Sequence, residues 1–248
     1  MTGTVLRETR DGLAILTLNR PQKLNSLTVE LFEDLDAHVT AIAAETDRVG
    51  CVVLRGAGRC FSAGHDLGDI AAGEALPRPN FQALVIQALS ELPQPVISAV
   101  HSHCYTGALE LALAGDIILA SEDAKFADTH ARWSLVPAWG MSQRLPRRIG
   151  RAKTNEMMFT CATYSGAEAV AMGLANRCFP DETFFADVEA FARVILEQSW
   201  FSHRANKRLL VDTDGMTLDA GLGHEIYHTS GRGPDMQERI AAFAKRKG

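Results

Sequence analysis

Apolar strand-like runs alternate with amphipathic helical stretches along the first half of the chain, and this alternation restricts the fold more than any other feature. In each unit, apolar residues recur at helical spacing and a short buried run follows them. The three units are residues 28–46 and 51–54, residues 81–92 and 96–100, and residues 107–114 and 117–120. Strands joined through helices form parallel sheets with right-handed crossovers. The sequence therefore predicts an α/β fold with a mainly parallel sheet.

Turn and cap signals lie on both sides of this pattern. An Arg-Asp-Gly turn separates two apolar runs, residues 5–7 and 13–18, which predicts a hairpin. Residues 165–168 read Ser-Gly-Ala-Glu, a capping box that predicts a short helix ended by Gly173. The apolar run at 174–179 then predicts a last strand.

The remainder of the chain is predicted to be helical. The expected helices span residues 183–198, 202–211, 217–228 and 235–245. We therefore expect two regions, a core over residues 1–190 and a helical C-terminal region over residues 191–248. Residues 69–80, rich in Gly, Pro and Ala, are predicted to form a mobile connection.

Composition excludes several classes of protein. With 248 residues, of which 46% are hydrophobic, the chain can bury a large core. A net charge of -5 gives no basic field for nucleic acid, and no apolar run is long enough to suggest a membrane span. The five widely spaced cysteines fit reduced thiols better than disulfides. With no secretory signal at the N-terminus, we expect a soluble, cytoplasmic protein.

Two loops carry small residues at the predicted carboxyl ends of parallel strands, where ligands bind in α/β sheets. One is residues 62–66, and the other is residues 103–108, which lead directly into a helix. The N–H of Gly107 at the helix start, with one N–H from the first loop, would hold an oxygen that gains negative charge. Gly64 and Gly107 suit this role because neither carries a Cβ, although both would equally suit ordinary turns.

Glu110 is predicted to lie one turn into the same helix, among leucines. Burial disfavours the charged form of a carboxylate and raises its pKa, which suits a general acid or base. The alternative is an exposed glutamate on an otherwise buried helix, and the spacing alone leaves it open.

A different motif, residues 224–228, satisfies the H-E-x-x-H pattern of zinc proteases. The longer form of that pattern needs a third histidine where this chain has Pro234, which offers no side-chain ligand. We therefore interpret the motif as part of a surface helix and predict no metal site. The chain also lacks a P-loop and a dinucleotide-binding fingerprint.

Several stretches, taken in order, resemble the crotonase superfamily, the enoyl-CoA hydratase/isomerase family. They are NRPQKLNSL, FSAGHDL, AVHSHCYTGALELALAGDIILAS, AKFADTHARWSLVPAWGMSQRLPRRIG and SGAEAVAMGLANRCF. The resemblance implies a crotonase-like fold of repeated ββα turns with a helical C-terminal region, assembled as a homotrimer or a pair of trimers. It also implies an acyl-CoA thioester as the substrate, with coenzyme A as part of that substrate and no separate cofactor.

In this family two backbone N–H groups bind the thioester oxygen while an enolate forms. The resemblance assigns these groups to His65, which follows the Ala-Gly of the first motif, and to Gly107. His65 would then act through its main chain, and its imidazole would be optional. The resemblance further implies that contacts to the substrate or its coenzyme A portion come from Lys23, Leu24, Ala63, Gly64, Asp66 and Leu67, with Lys23 on a phosphate.

Glu110 matches the first catalytic glutamate of the hydratases. Where those enzymes carry a second glutamate, this chain has His130. A histidine transfers protons near neutral pH, but its charge states are neutral and positive rather than negative and neutral. The run before Glu110 also reads Tyr-Thr-Gly-Ala in place of a glycine triplet. The resemblance therefore defines the superfamily more firmly than the reaction.

The leading hypothesis is reversible addition of water to a trans-2-enoyl-CoA, with Glu110 and His130 as the acid–base groups. Two alternatives keep the enolate but change the product: double-bond isomerisation and decarboxylation of a malonyl-type CoA. A CoA-ester-binding protein without efficient catalysis is a third alternative, and a zinc hydrolase is the most remote.

Overall fold

The computed structural model describes residues 3–245, in which nine strands form two sheets. The strands are β1 Val5–Arg10, β2 Leu13–Leu18, β3 Cys51–Gly56, β4 Val96–Val100, β5 His103–Tyr105, β6 Ile117–Ser121, β7 Lys125–Ala127, β8 Tyr164–Ser165 and β9 Arg177–Phe179. The main sheet has the order β1-β2-β3-β4-β6-β9, and the smaller sheet has the order β5-β7-β8.

Helices connect these strands and continue to the end of the described residues. They are α1 Val29–Ala44, α2 Leu67–Ala72, α3 Phe81–Ser90, α4 Gly107–Ala112, α5 Met141–Thr160, α6 Gly166–Ala171, α7 Phe184–Leu196, α8 Trp200–Asp212, α9 Leu218–His228 and α10 Met236–Lys245. Two short 3-10 helices, Pro21–Lys23 and His130–Trp133, lie outside this series.

The main sheet confirms the α/β fold with a mainly parallel sheet. Strands β2, β3, β4, β6 and β9 run parallel to one another, and β1 pairs antiparallel with β2. The predicted hairpin turn is present, with positive φ values of 47° at Asp11 and 80° at Gly12. The helical C-terminal region is present as well, since α7 to α10 follow the last strand.

Helices cover the sheet on both faces, which explains why its central strands are apolar without alternation. On one face, Leu35 of α1 and Val85 of α3 belong to the larger hydrophobic core. On the other face, Phe184 and Val188 of α7 pack with Leu13 and its neighbours in the sheet. The capping box that starts α6 is also present, so that prediction is confirmed.

The structure contains elements that the sequence patterns did not predict. Helix α5 was missed, since Pro146 lies inside it and Gly150 interrupts it with φ 75° and ψ 158°. The strands of the smaller sheet have two or three residues each, which is too short for an alternation to be visible. The last strand begins at Arg177 rather than at residue 174.

Residues 69–72, at the start of the segment predicted to be a mobile connection, complete α2. Within residues 3–245, no helix combines the length and the apolar character that crossing a bilayer requires.

Candidate active site

The loops that follow β3 and β5 meet at a cavity of about 490 Å³. Helix α4 and the segment between β7 and α5 complete its walls. The lining residues that matter most for chemistry are Ala63, His65, Gly107, Glu110, His130 and Trp139. Loops distant in sequence therefore converge on one cavity.

The loop after β3 is fixed by backbone contacts to both of its neighbours. Ser62 N donates to His103 O at 2.9 Å, and Leu27 N donates to Gly64 O at 2.9 Å. Gly64 has φ 103°, and a Cβ on it would lie 2.6 Å from Tyr105 O. Glycine is therefore required here, both for the conformation and for the close approach of the two loops.

Gly107 allows the second loop, which follows β5, to lie close to the loop after β3. It is the first residue of α4, so its N–H has no acceptor within the helix. A Cβ on Gly107 would lie 3.3 Å from His65 N and 2.7 Å from the Trp139 ring. The backbones at His65 and Gly107 are therefore in near contact at the cavity wall.

The two amides at this contact are free donors. The N–H groups of His65 and Gly107 have no hydrogen-bond acceptor among residues 3–245. The other loop amides are all satisfied: Ser62 N, Ala63 N and Asp66 N donate to carbonyls and Gly64 N donates to the Ser62 hydroxyl. Two adjacent unpaired donors facing one cavity can bind an oxygen as it becomes anionic.

Glu110 lies on α4 with its side chain buried against the start of α5. Its Oε1 accepts hydrogen bonds from Trp139 N at 2.8 Å and Met141 N at 3.0 Å. Burial raises the pKa of this carboxyl, although the two amides and nearby His130 act in the opposite direction. With Oε1 fixed, Oε2 is the oxygen available for proton transfer.

His130 stands beside this free oxygen. Its Nε2 lies 3.7 Å from Glu110 Oε2, and its Nδ1 lies 2.5 Å from Asp128 Oδ1. An acceptor at Nδ1 assigns the ring hydrogen to that nitrogen in the neutral tautomer, so Nε2 then faces Glu110 as an acceptor. All three side chains are nearly inaccessible to solvent, which strengthens their mutual electrostatic interactions.

The residues predicted to contact coenzyme A lie along one side of the first loop. Lys23 is exposed at the end of a 3-10 helix, and Leu24 O accepts a hydrogen bond from Ala63 N at 2.9 Å. Ala63 and Leu67 line the cavity. The Asp66 carboxylate caps α2 through Gly68 N and accepts a hydrogen bond from Ser26 Oγ. The backbone of Leu24 thus lies against the first loop, and the contacts of these residues with a ligand stay predictions.

The imidazole of His65 has partners of its own. Its Nε2 lies 2.7 Å from Glu74 Oε1, and its ring packs on Trp139 with centroids 4.6 Å apart. Gln82 Nε2 donates to the other Glu74 oxygen at 3.0 Å. The side chain of His65 therefore joins the cavity wall to the segment that follows α2.

Sequence reasoning missed Asp128, Glu74 and the two amides that bind Glu110. A signal existed for Asp128, because an acidic residue two positions before a proposed catalytic histidine is a natural partner for its ring. Nothing in the sequence pairs Glu74 with His65, because the two residues lie on either side of the short helix α2 and their spacing matches no standard motif. The amides of Trp139 and Met141 carry no sequence signature.

The H-E-x-x-H motif lies outside this site on α9, a helix with no buried residue. The rings of His224 and His228 are stacked with centroids 4.2 Å apart, and His228 Nδ1 bonds to His224 O. In the part of the chain that the structure describes, no three His, Cys, Asp or Glu side chains converge as metal ligands. The motif therefore lies on a surface helix, as interpreted from the sequence.

The sequence is similar to those of known proteins over nearly its full length. The enoyl-CoA hydratase/isomerase family model matches residues 8–247. A protein named as a probable enoyl-CoA hydratase from Mycobacterium tuberculosis is 30% identical over 249 residues, covering 98% of this chain and 96% of that protein. A 1,2-epoxyphenylacetyl-CoA isomerase from Escherichia coli is 31% identical over 252 residues, with the same coverage of 98% and 96%.

Solved structures agree with the sequence relatives. The crystal structure of an enoyl-CoA hydratase from Bacillus anthracis superposes with a TM-score of 0.89 at 28% sequence identity. The match covers 98% of this chain and 96% of that one. The crotonase-like fold expected from the sequence is therefore confirmed over nearly the entire chain.

Proposed function

The chain belongs to the enoyl-CoA hydratase/isomerase family of the crotonase superfamily, and from that premise we propose that it adds water to a trans-2-enoyl-CoA. The acyl-CoA thioester binds in the cavity with its carbonyl oxygen at the amides of His65 and Gly107. The observation that carries this proposal is the pair of adjacent, unpaired N–H groups beside a buried carboxylate. Each such donor typically contributes about 2.7–4 kcal/mol to stabilising the charge of an oxyanion.

Glu110 and His130 supply the acid–base chemistry. A water held near Glu110 Oε2 and His130 Nε2 loses a proton to Glu110 as its oxygen bonds to the β-carbon. The electron pair of the double bond moves to the thioester oxygen, which forms the enolate. The α-carbon then takes that same proton back from Glu110, either directly or relayed through His130 Nε2, so the net change is the addition of one water.

Asp128 acts on the orientation of His130 in this mechanism. Its Oδ1 accepts a hydrogen bond from Nδ1–H of His130, which leaves Nε2 directed at Glu110 Oε2. A positioned histidine of this kind replaces the second carboxylate of the hydratases that the chain resembles. The proposed reaction needs no cofactor, because coenzyme A arrives as part of the substrate.

The proposal extends to assembly and location. Apolar side chains are more than half exposed on the C-terminal helices of the single chain, and they include Leu210, Leu218, Ile226, Tyr227 and Ile240. Such a surface supports a homotrimer or a pair of trimers, which light scattering of the purified protein tests. The five free cysteines support a cytoplasmic location, which cell fractionation tests.

The decisive experiment is turnover of crotonyl-CoA followed by mass spectrometry. We expect a gain of one water with the parent protein, and a fall in kcat of about 10²- to 10⁴-fold for Glu110→Gln, which removes a positioned base. Glu122→Gln is the matched control, because Glu122 is exposed and lies outside the cavity lining. Hydration by Glu110→Gln at the parent rate would refute the assignment.

A second candidate is double-bond isomerisation, which is favoured because His130 stands where the hydratases carry their second glutamate. Moving a proton between the α- and γ-carbons needs one base and no water, and Glu110 alone can supply it. The relative at 31% identity is named as an isomerase of an epoxyphenylacetyl-CoA, which supports isomerisation of an acyl-CoA as a class of reaction rather than a double-bond shift in particular. Product analysis separates the outcomes, since isomerisation leaves the mass unchanged, hydration adds water, and a methylmalonyl-CoA substrate would lose carbon dioxide in a decarboxylase.

A further inference from the structure

Thr106 has the most unusual backbone geometry in the cavity wall. It precedes Gly107 and has φ 54° and ψ -108°, a combination that side chains with a Cβ rarely adopt. For a β-branched residue such a conformation is a genuine outlier, and it persists only where surrounding contacts enforce it. The reason for it should therefore be found in the hydrogen bonds of Thr106.

Three hydrogen bonds hold Thr106 against the segment after β7. Thr106 N donates to Ala127 O at 2.8 Å, and Thr106 Oγ1 accepts from Thr129 N at 3.0 Å. The two threonine hydroxyls lie 2.6 Å apart. Thr106 is thus fastened through its main chain and its side chain to residues 127–129.

These hydrogen bonds control the direction of the Gly107 N–H. The ψ angle of Thr106 sets the orientation of the following peptide plane, and that plane carries the N–H of Gly107. Thr129 lies between Asp128 and His130 in the chain, so the same contacts also fix the backbone that presents the imidazole. The two hydroxyls therefore connect the anion-binding amide with the proton-transfer group.

We propose that Thr106 and Thr129 form a hydroxyl pair that positions the Gly107 amide and His130 relative to each other, and so sets the stability of the enolate. The inference rests on the proposed function, because it concerns the same thioester oxygen. Neither threonine acts on the substrate directly in this proposal, so both are positioning residues.

Acetoacetyl-CoA tests the proposal without requiring turnover. Its β-keto thioester can bind as an enolate, which is observed by ultraviolet absorbance, and free coenzyme A serves as a ligand without the carbonyl. For Thr106→Val, which keeps the branched shape and removes the hydroxyl, we expect an enolate signal lower by about 10- to 100-fold. The affinity for coenzyme A should stay at the parent value.

The other variants give a graded series. Thr129→Val keeps the N–H bond to Thr106 but loses the hydroxyl contact, so its loss should be smaller. Thr106→Ser keeps the hydroxyl and should restore the enolate signal. The double valine variant should lose no more than Thr106→Val, because both changes act through one contact. Turnover should show the same order in kcat, with KM nearly constant.

Thr154→Val is the matched control, since Thr154 is buried and bonds to Gly150 O on α5. Circular dichroism of each variant reports folding, and Thr129→Val carries the test if Thr106→Val does not fold. A parent-level enolate signal in both valine variants would overturn the proposal, as would a parent protein that binds acetoacetyl-CoA without enolising it. Enolisation without hydration of crotonyl-CoA would instead refute only the hydratase assignment.

Discussion

At the scale of single residues, the site depends on a carboxylate in a buried position, where the charged form loses its solvation. Glu110 is 1% exposed, and burial raises its pKa. The amides of Trp139 and Met141 satisfy one oxygen but do not replace the lost solvation of the other. The raised pKa makes the group a better proton acceptor at the pH where it must act.

Glu110→Gln should therefore stabilise the fold near neutral pH. The glutamine amide oxygen can accept the same two hydrogen bonds, and the substitution removes the buried charge. A gain of about 2–4 °C in Tm is expected for each kcal/mol in a chain of this length. Thermal unfolding of both proteins, followed by circular dichroism from about pH 4 to pH 8, measures the difference.

The pH dependence of that gain has a defined sign. Below the ordinary pKa of 4.5, the parent carboxyl is protonated in both the folded and the unfolded chain, so the two proteins should be equally stable. As pH rises, the unfolded chain ionises first, and the parent loses stability until the pH exceeds the raised pKa of the folded state. A Tm difference independent of pH would contradict the buried-charge explanation.

His65 shows that one residue can contribute through two separate parts. Its main-chain N–H is a free donor in the cavity, and its imidazole binds Glu74 and packs on Trp139. The sequence resemblance led to the expectation that the imidazole is optional. The contacts show that this ring has a structural partner on the segment after α2, which only the folded chain brings near.

At the scale of elements, the start of α4 is the part of the fold on which anion binding depends. It combines a free first-turn N–H with a tight contact to the preceding loop and to Trp139. The start of α5 makes a second contribution, since the amides of Trp139 and Met141 there orient Glu110. One helix start thus binds the carboxylate, and the other presents a donor to the substrate, around the same cavity.

Gly107→Ala should lower the rate strongly and also cost some stability, because the added methyl overpacks against the buried Trp139 ring. The new methyl group would lie 2.7 Å from the Trp139 ring and 3.3 Å from His65 N, so the two amides would be pushed apart. Loss of a donor of this kind typically lowers kcat about 10²- to 10³-fold. Steady-state kinetics with crotonyl-CoA measure the change, together with Tm.

Gly223→Ala is the control for this experiment. Gly223 lies on α9 with no atom within 4 Å of an added Cβ, so alanine there should leave the rate unchanged. A Gly107→Ala variant that retains the parent kcat would remove the Gly107 amide from the mechanism.

At the scale of the whole molecule, α8 is packed onto the strand ends of the main sheet. The indole of Trp200 fills space that only glycines leave open, because a Cβ on Gly50 would lie 2.2 Å from it and a Cβ on Gly12 2.6 Å. Lys207 of the same helix forms an ion pair with Asp116 at 2.7 Å. The predicted division into residues 1–190 and 191–248 stays a prediction, and these contacts cross it.

Gly50→Ala should destabilise the entire chain. The added methyl overlaps the indole of Trp200 and displaces it from its packed position. Overpacking of this kind typically lowers the free energy of unfolding by about 1–3 kcal/mol. Chemical denaturation with far-ultraviolet circular dichroism measures the change in the free energy of unfolding, and intrinsic fluorescence reports the tryptophan environment. Gly221→Ala, whose nearest contact would be an ordinary 3.8 Å, should be neutral or stabilising. Equal stability of Gly50→Ala and the parent would mean that Trp200 does not pack as described.

The sequence alone determined the helices and strands whose residues repeat with a regular hydrophobic period. Helical and strand periodicity predicted the parallel sheet, its hairpin and most helices, because a buried face repeats at the period of its element. It also pointed to both loops, through Gly64 and Gly107, and to Glu110 among leucines. The helix at 141–160 was not predicted because Pro146 and Gly150 normally end a helix; the structure accommodates Pro146 within it, and Gly150 does kink it.

Only the tertiary structure decided which of these groups act together. Periodicity reports the environment of a residue but not its partner, so the pairing of His65 with Gly107 and of His130 with Glu110 was expected only from the shared sheet edge and the family resemblance, and the structure supplies the distances. The strained backbone at Thr106 and its hydroxyl contact with Thr129 arise from residues 23 positions apart. Contacts of this kind depend on how the loops are brought together by the sheet, which is a property of the packed molecule rather than of any segment.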